Sequence, residues 1–245
     1  MDRQTHFVVV GGGTAGWIAA FIIQDAARRR GLNLRVSVIE PSKIPTVGVG
    51  EGTTAAFRLL LRHFGIAEFE FIRETGATIK LGIRHQDWRR KGFSYDGPID
   101  DPHQVIRAPA GAPSDYLNVY AIAAGRSLTD MHLFGPLLTQ TKAPFARKAD
   151  GSLIALGPFH YGYHFDQALV GRFFARKSAG VEIIDAVVAG VVRDAQTGDV
   201  TALQLDNGQT LNADFVIDAT GFRKQLIVKE MGAAWISYAH ELPVN

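Results

Sequence analysis

Apolar positions in the first forty residues follow two periods. Phe7-Val8-Val9-Val10 is an unbroken apolar run ending at a glycine cluster, the pattern of a strand buried on both faces of a parallel sheet. Ile18 to Ile23 continue an Ala- and Ile-rich stretch that reads as a helix, and Leu34-Arg35-Val36-Ser37-Val38-Ile39 supplies a second strand. Residues 41–54 are too rich in Gly and Pro for a helix and are expected to be loop. Thr53 or Thr54 can then cap a helix to about His63, with Phe57, Leu60, Leu61 and Phe64 at helical spacing. A short helix over Glu68–Thr75 and an extended Thr78–Arg84 follow. Phe93 to Pro113, dense in Gly, Pro and Asp, is expected to be loop, with helices after it over Tyr116–Ala124 and Thr129–Gln140. Asp166 can cap a helix reaching about Lys177. Val181–Ile184, a hairpin of Val187–Arg193 with Val200–Leu205, and Gln209–Leu211 read as strands. Phe215–Asp218 returns to the parallel sheet, and Ala219-Thr220-Gly221 makes a tight exit into a helix after Phe222.

The segment between the first strand and helix, Gly11-Gly12-Gly13-Thr14-Ala15-Gly16-Trp17, gives this pattern a chemical meaning. Gly11 lets the chain turn tightly, Gly13 lets the backbone approach a pyrophosphate, and Gly16 lets the helix pack on the strand. The helix N-terminus offers free N–H groups and the positive end of its dipole to phosphates. Glu40, at the end of the second strand, can accept both hydroxyl protons of an adenosine ribose and would repel a 2′-phosphate, which favours FAD or NAD over NADP. The alternative is a merely structural glycine turn, but strand, glycines, helix, strand and acid stand in the order that a dinucleotide site requires. The expected fold class is α/β, an FAD-binding Rossmann-like parallel sheet with an additional β-rich segment, in one domain spanning 1–245.

Composition narrows the partners. The chain has 245 residues, 47% hydrophobic and 20% charged, with a net charge of +2 and no basic stripe, so nucleic acid is not an expected partner. Arg28-Arg29-Arg30 reads as a solvated helix end that complements the dipole. Without cysteine there is no disulfide, thiolate chemistry or cysteine metal site, and a cytoplasmic location is the default expectation. The apolar stretch from Phe7 to Ile23 contains four glycines and lacks a basic leader, so neither a signal peptide nor a membrane span is expected. His160 and His164 have helical spacing, but Gly162 lies between them and no acid accompanies them, so no metal site is expected. No Ser-His-Asp arrangement can be inferred from spacing.

With these residues in view, the chain resembles the flavin-dependent halogenases of the tryptophan halogenase type over nearly its whole length. Gly11 to Trp17 matches that family's Gly-x-Gly-x-x-Gly segment with its following Trp. Gly48-Val49-Gly50-Glu51-Gly52-Thr53 is similar to its Gly-Val-Gly-Glu-Ala-Thr loop beside the flavin, with Gly52 in place of alanine. Lys80, within Ala77-Thr78-Ile79-Lys80-Leu81-Gly82-Ile83, falls where the family places its catalytic lysine. Tyr163 to Asp166 and Asp218 to Arg223 are similarly placed. The first and last motifs also occur in flavoprotein hydroxylases; the Gly-Glu-Gly-Thr loop and the lysine point to halogenation.

The resemblance implies FAD, used as FADH2 and delivered by a separate flavin reductase, with a halide (chloride or bromide) and an aromatic, indolic small molecule as co-substrates. It implies a flavin-binding set of Gly11, Gly13, Thr14, Ala15, Gly16, Glu40, Val49, Glu51, Gly52, Val187, Asp218 and Gly221. Reduced flavin, oxygen and halide would give hypohalous acid, which Lys80 holds or captures as a haloamine. Read by itself, Lys80 is equally a lysine whose stem runs past apolar neighbours to a solvated charge. Glu51 either polarises groups near the flavin or caps the helix after Thr53. Asp218 either contacts the ribityl chain or receives N–H groups at the strand exit. Asp87 and Trp88 either shape a substrate wall or are a surface acid beside a buried indole.

The family's Trp-x-Trp-x-Ile-Pro motif and its later glutamate and halide-contacting Ser/Thr are not found; Trp occurs only at 17, 88 and 235. The chain therefore reads as the flavin-binding front portion of a longer enzyme, or the product of a shortened gene, with retained FAD affinity and little halogenation of its own. Phe93-Ser94-Tyr95-Asp96 departs from the aromatic, histidine-rich stretch of halogenases of free tryptophan. A flavin monooxygenase that hydroxylates an aromatic ring, and a non-catalytic FAD-binding fragment, are the competing expectations.

Overall fold

The computed structural model describes residues 3–44, 50–99, 116–126, 135–156 and 160–242. In chain order the elements begin with β1 (Thr5–Val10), α1 (Thr14–Arg30), β2 (Leu34–Ile39), β3 (Gly50–Gly52), α2 (Ala55–His63) and α3 (Glu68–Thr75). β4 (Thr78–Lys80), β5 (Gly82–Gln86), β6 (Ser94–Pro98), α4 (Tyr116–Ala123), α5 (Gly135–Thr139), β7 (Phe145–Arg147) and β8 (Leu153–Ala155) follow. The chain continues through β9 (Gly162–Asp166), α6 (Gln167–Lys177), β10 (Glu182–Ile184), β11 (Val188–Arg193), β12 (Val200–Leu205), β13 (Thr210–Asn212) and β14 (Phe215–Asp218). A 3₁₀ turn at Gly221–Arg223 and a π-type turn at Gln225–Glu230 come last. The chain divides into two compact units, Met1–Val49 with Gln167–Asn245, and Gly50–Asp166.

In the first unit β10, β2, β1 and β14 form a parallel sheet in that order. Val8 and Val9 on β1 and Val38 on β2 have no exposed surface, which is why an unbroken apolar run was needed there. α1 and α6 pack together through Phe21 and Phe174, rings 5.5 Å apart edge to face. β11, β12 and β13 form the additional antiparallel sheet, and Val188, Leu203 and Leu205 from it share a core with Val8, Val10 and Ile39. Arg28 and Arg29 do lie in the last turn of α1, but they also ion-pair with Asp25, which is 5% exposed. The arginine cluster is thus the neutralising partner of a buried acid as well as a solvated helix end.

The second unit is built on a small antiparallel sheet in the order β3, β9, β4, with the hairpins β5–β6 and β7–β8. Several sequence expectations change here. Gly50–Gly52 lies inside the segment expected to be loop and forms β3, because β9 supplies backbone partners that local composition does not reveal. The extended Thr78–Arg84 divides at Leu81 into β4 and β5, which join different sheets. Ser94–Pro98, expected to be loop, pairs with β5. Thr54 is the N-cap of α2 without a side-chain hydrogen bond; Thr53 Oγ1 instead accepts the Tyr163 N–H at 2.9 Å. The expected start of the helix over Thr129–Gln140 lies outside the described residues; within them the helix runs Gly135–Thr139. No helix of the described residues is long and apolar enough to cross a membrane.

Candidate functional site

The first unit holds the glycine loop. Gly11 has φ +116°, and a Cβ there would lie 2.4 Å from the Ala219 carbonyl oxygen at the exit of β14. A Cβ on Gly16 would lie 1.9 Å from the Gly11 carbonyl oxygen, so helix and turn approach as only a glycine allows. Gly13 is the N-cap of α1, the helix has no acid in its first turn, and no side chain caps it. Thr14 does not cap either: its hydroxyl donates to the Gln167 carbonyl at 3.0 Å. Ala15 is exposed in the first turn. Among the described residues the N–H groups of that turn are thus without a side-chain acceptor, the arrangement that accommodates a phosphate.

Glu40 follows β2, and its carboxylate folds over Gly12; a Cβ on Gly12 would lie 2.1 Å from Glu40 Cδ. Glu40 Oε2 accepts the Trp17 indole N–H at 3.0 Å. The sequence reading missed both the purpose of the middle glycine and the role of the following tryptophan, which is to hold this acid. Gly12, Trp17, Glu40, Gln167, Ala168 and Arg172 line a cavity of about 110 Å³. Gln167 Oε1 is buried with no hydrogen-bond partner among the described residues. An unpaired acceptor, a half-buried carboxylate and open helix N–H groups fit the adenosine and pyrophosphate part of FAD.

Val49 lies outside the described residues. The Val187 N–H donates to Asp206 Oδ1 and its carbonyl accepts from the Asp206 N–H, both at 2.9 Å. Gly221 takes φ +60° at the start of the 3₁₀ turn. Asp218 receives the Thr220 N–H and hydroxyl on Oδ1 and the Leu226 and Ile227 N–H groups on Oδ2, at 2.6–3.1 Å. Burial pushes its carboxyl up, but the Thr220 hydroxyl and the backbone N–H groups outweigh burial and hold it below the usual range. Asp218 is thus an acid that ties together the strand exit. A larger cavity, about 580 Å³, lies along β14 and includes Asp214, Phe215, Asp218, Ile227 and Met231.

In the second unit the strand register sorts side chains onto two faces. Lys80 pairs with Gly162, Thr78 and Gly52 with His164, and Gly50 with Asp166, so these residues share one face. Ile79, Tyr163, Phe165 and Glu51 belong to the other. There Phe57 and Phe71, from α2 and α3, contact Tyr163 and Phe165 with ring centroids 5.3–6.1 Å apart. Lys80 is half-buried, and its amine has no hydrogen bond or ion pair among the described residues. Glu51 lies within β3 opposite Phe165, so it does not cap α2, whose N-cap is Thr54.

Behind Lys80 lies a polar network that sequence spacing did not disclose. Tyr161 and Tyr163, both without exposed surface, donate their phenol protons to Glu68 Oε1 at 2.6 and 2.7 Å. Arg58 pairs with Glu68 Oε2 at 3.5 Å and sits over the Tyr161 ring, 4.4 Å from its centroid. Burial and the Glu68 carboxylate push both phenols far above their ordinary value. The only sequence signal was a pair of tyrosines flanking Gly162. On the β5–β6 hairpin His85 stacks on Tyr95 at 4.6 Å and meets the Trp88 edge at 5.2 Å. Trp88 is 78% exposed, which corrects the expectation of a buried indole; Asp87 Oδ1 accepts the Gly92 N–H in the adjoining turn.

The family model described as tryptophan halogenase matches residues 6–245. The chain is 32% identical to the tryptophan 6-halogenase ThaL of Streptomyces albogriseolus, over 100% of this chain and 48% of that protein. It is 31% identical to the 7-chloro-L-tryptophan 6-halogenase KtzR of Kutzneria sp. (strain 744), over 96% of this chain and 48% of that protein. Among solved structures, the tryptophan 6-halogenase SttH of Streptomyces toxytricini superposes with a TM-score of 0.84 at 29% identity, covering 99% of this chain and 49% of that one. The chain thus spans about half the length of the relatives it matches.

Proposed function

Because the chain belongs to the tryptophan halogenase family, we propose that it serves FADH2- and O2-dependent halogenation of an electron-rich, indolic substrate by chloride or bromide, with Lys80 as halogen carrier. The observation that carries this reading is the family match over residues 6–245 together with a half-buried Lys80 whose amine has no hydrogen bond or ion pair among the described residues. Reduced FAD with oxygen supplies the oxidising power that converts halide to hypohalous acid. The residues of this chain do the rest. The open N-terminus of α1 and the glycine loop would hold the pyrophosphate, and Glu40, steadied by Trp17, would accept the ribose hydroxyls. Lys80 would hydrogen-bond hypohalous acid or take its halogen, on a strand whose rear face is fixed by aromatic packing and the Glu68 network.

The sequence contains one strand–Gly-x-Gly-x-x-Gly–helix unit, which fits an enzyme supplied with FADH2 by a separate flavin reductase. The names of ThaL and KtzR support an indole-bearing substrate, while Phe93-Ser94-Tyr95-Asp96 favours one other than free tryptophan. The test is mass spectrometry of products from indole, tryptophan and a tryptophan-containing peptide, each incubated with the full-length gene product, chloride or bromide, FADH2 and oxygen, with catalase present. Halogenated indole supports the proposal. Hydroxylated product alone replaces it with a monooxygenase.

A further inference from the structure

The β5–β6 hairpin leaves the Lys80 strand with Leu81 alone between them and ends in a cationic tip over residues 87–93. Its two faces differ in chemistry. Arg84, Gln86, Ser94 and Asp96 share one face, where Arg84 Nε and Nη2 donate to the Asp96 carboxylate at 2.7 and 3.0 Å, a polar surface suited to water. Ile83, His85 and Tyr95 share the other; Ile83 and Tyr95 are exposed, and the exposed Trp88 closes the row against the His85 ring. Beyond Trp88 come Arg89, Arg90 and Lys91, all exposed, with the Arg89 and Arg90 guanidinium carbons 5.6 and 5.9 Å from the Phe93 ring centroid. Among the described residues none of these three cations has an ion pair, and Asp87, the acid of the tip, is committed to the Gly92 N–H.

We propose that this tip docks an acidic peptide, and that the indolic substrate arrives as a side chain of that peptide. The inference rests on the halogenation reading. Charge selects the occupant first: three adjacent cations without counter-charges complement carboxylates, which they draw in from solution. The neighbouring side chains agree, because exposed Trp, Tyr and Arg are the types that carry binding energy at interfaces. Span excludes a small molecule. β5 carries the tip about 14 Å beyond Gly82, so a molecule that touches the tip while its ring lies at Lys80 must extend at least as far as about four residues of extended chain. A nucleic acid is disfavoured by the net charge of +2 over the whole chain.

Fluorescence anisotropy at low ionic strength tests this on the full-length gene product, with a dye-labelled peptide of about ten residues that carries one tryptophan and four glutamates. A second peptide has glutamine at those four positions. The acidic peptide is expected to bind about tenfold or more tightly than its neutral counterpart. Arg89→Glu combined with Arg90→Glu is expected to remove that preference while the circular dichroism spectrum is unchanged. Trp88→Ala, which leaves the charges in place, is expected to weaken the acidic peptide about threefold or more and gives the answer should the charge-reversed protein not fold. Equal affinity for the two peptides, or a preference that survives both substitutions, overturns the proposal. So does tighter binding of anionic lipid vesicles or of a single-stranded oligonucleotide than of the acidic peptide. The titration uses neither flavin nor halide, so the two readings fail separately. Peptide docking without halogenated product removes the function alone, and halogenation of free indole beside equal peptide affinities removes the docking alone.

Discussion

Replacing Glu68 by leucine probes the network on which the strand behind Lys80 rests. Two phenol hydroxyls with no exposed surface donate to one oxygen of this carboxylate, at 2.6 and 2.7 Å. Each hydroxyl left buried without an acceptor costs about 1–3 kcal/mol, so Glu68→Leu should destabilise the second unit by about 2–6 kcal/mol. That is a large share of the 5–15 kcal/mol or so that holds a typical domain together. The cost comes from orphaned donors rather than from lost volume, which gives the reasoning a sharper consequence. Adding Tyr161→Phe and Tyr163→Phe to Glu68→Leu removes the orphans and should restore about half of the loss or more. Urea unfolding followed by far-UV circular dichroism, with tyrosine near-UV signals reporting local packing, measures both differences. A Glu68→Leu protein within about 0.5 kcal/mol of wild type, or a triple variant no more stable than the single one, would refute the argument.

Three further outcomes follow from the same geometry. Glu40→Arg removes the carboxylate over Gly12 and should weaken FAD binding by about tenfold or more in a fluorescence titration; unchanged affinity would take Glu40 out of the site. Asp218→Asn turns an amide NH₂ towards the Leu226 and Ile227 N–H donors and should cost about 1.5–3 kcal/mol at neutral pH. Because the folded carboxyl is held low, its stabilisation is complete above the unfolded aspartate value and is lost as pH falls through the folded one. The Asn variant should therefore show a flatter acid limb in its melting temperature against pH. NADH alone should reduce the bound FAD only slowly in stopped flow, with added flavin reductase restoring turnover; rapid direct reduction would contradict the reductase requirement.

Much of the first unit was legible because its determinants are local. An unbroken valine run, glycines at a strand–helix turn and an acid ending the next strand each act within a few residues, and β2 spans the predicted Leu34–Ile39. α3 likewise spans the predicted Glu68–Thr75. The second unit was harder. β3 consists of Gly50-Glu51-Gly52, whose strand character comes entirely from pairing with β9 more than a hundred residues later. The partner of Tyr161 and Tyr163 stands at Glu68, a separation no periodicity encodes. At the site, the position of Lys80 came from family resemblance, while His164 was weighed only as a metal ligand. The strand register that sets both against Gly52 is a tertiary fact. Asp218 was placed at the right strand exit, but two of its four hydrogen bonds come from a turn whose π-type geometry the sequence did not announce.

The central claim is that Lys80 carries the halogen, and one paired measurement tests it most directly. The full-length gene product and its Lys80→Ala variant are given FADH2, oxygen, bromide or chloride, an indolic substrate and catalase, while flavin reoxidation and product mass are followed in the same reaction. Oxygen needs no lysine to oxidise the flavin, so the account predicts that Lys80→Ala leaves reoxidation nearly intact and abolishes the halogenated product. Undiminished halogenation in Lys80→Ala, with catalase present to remove free peroxide, would contradict it.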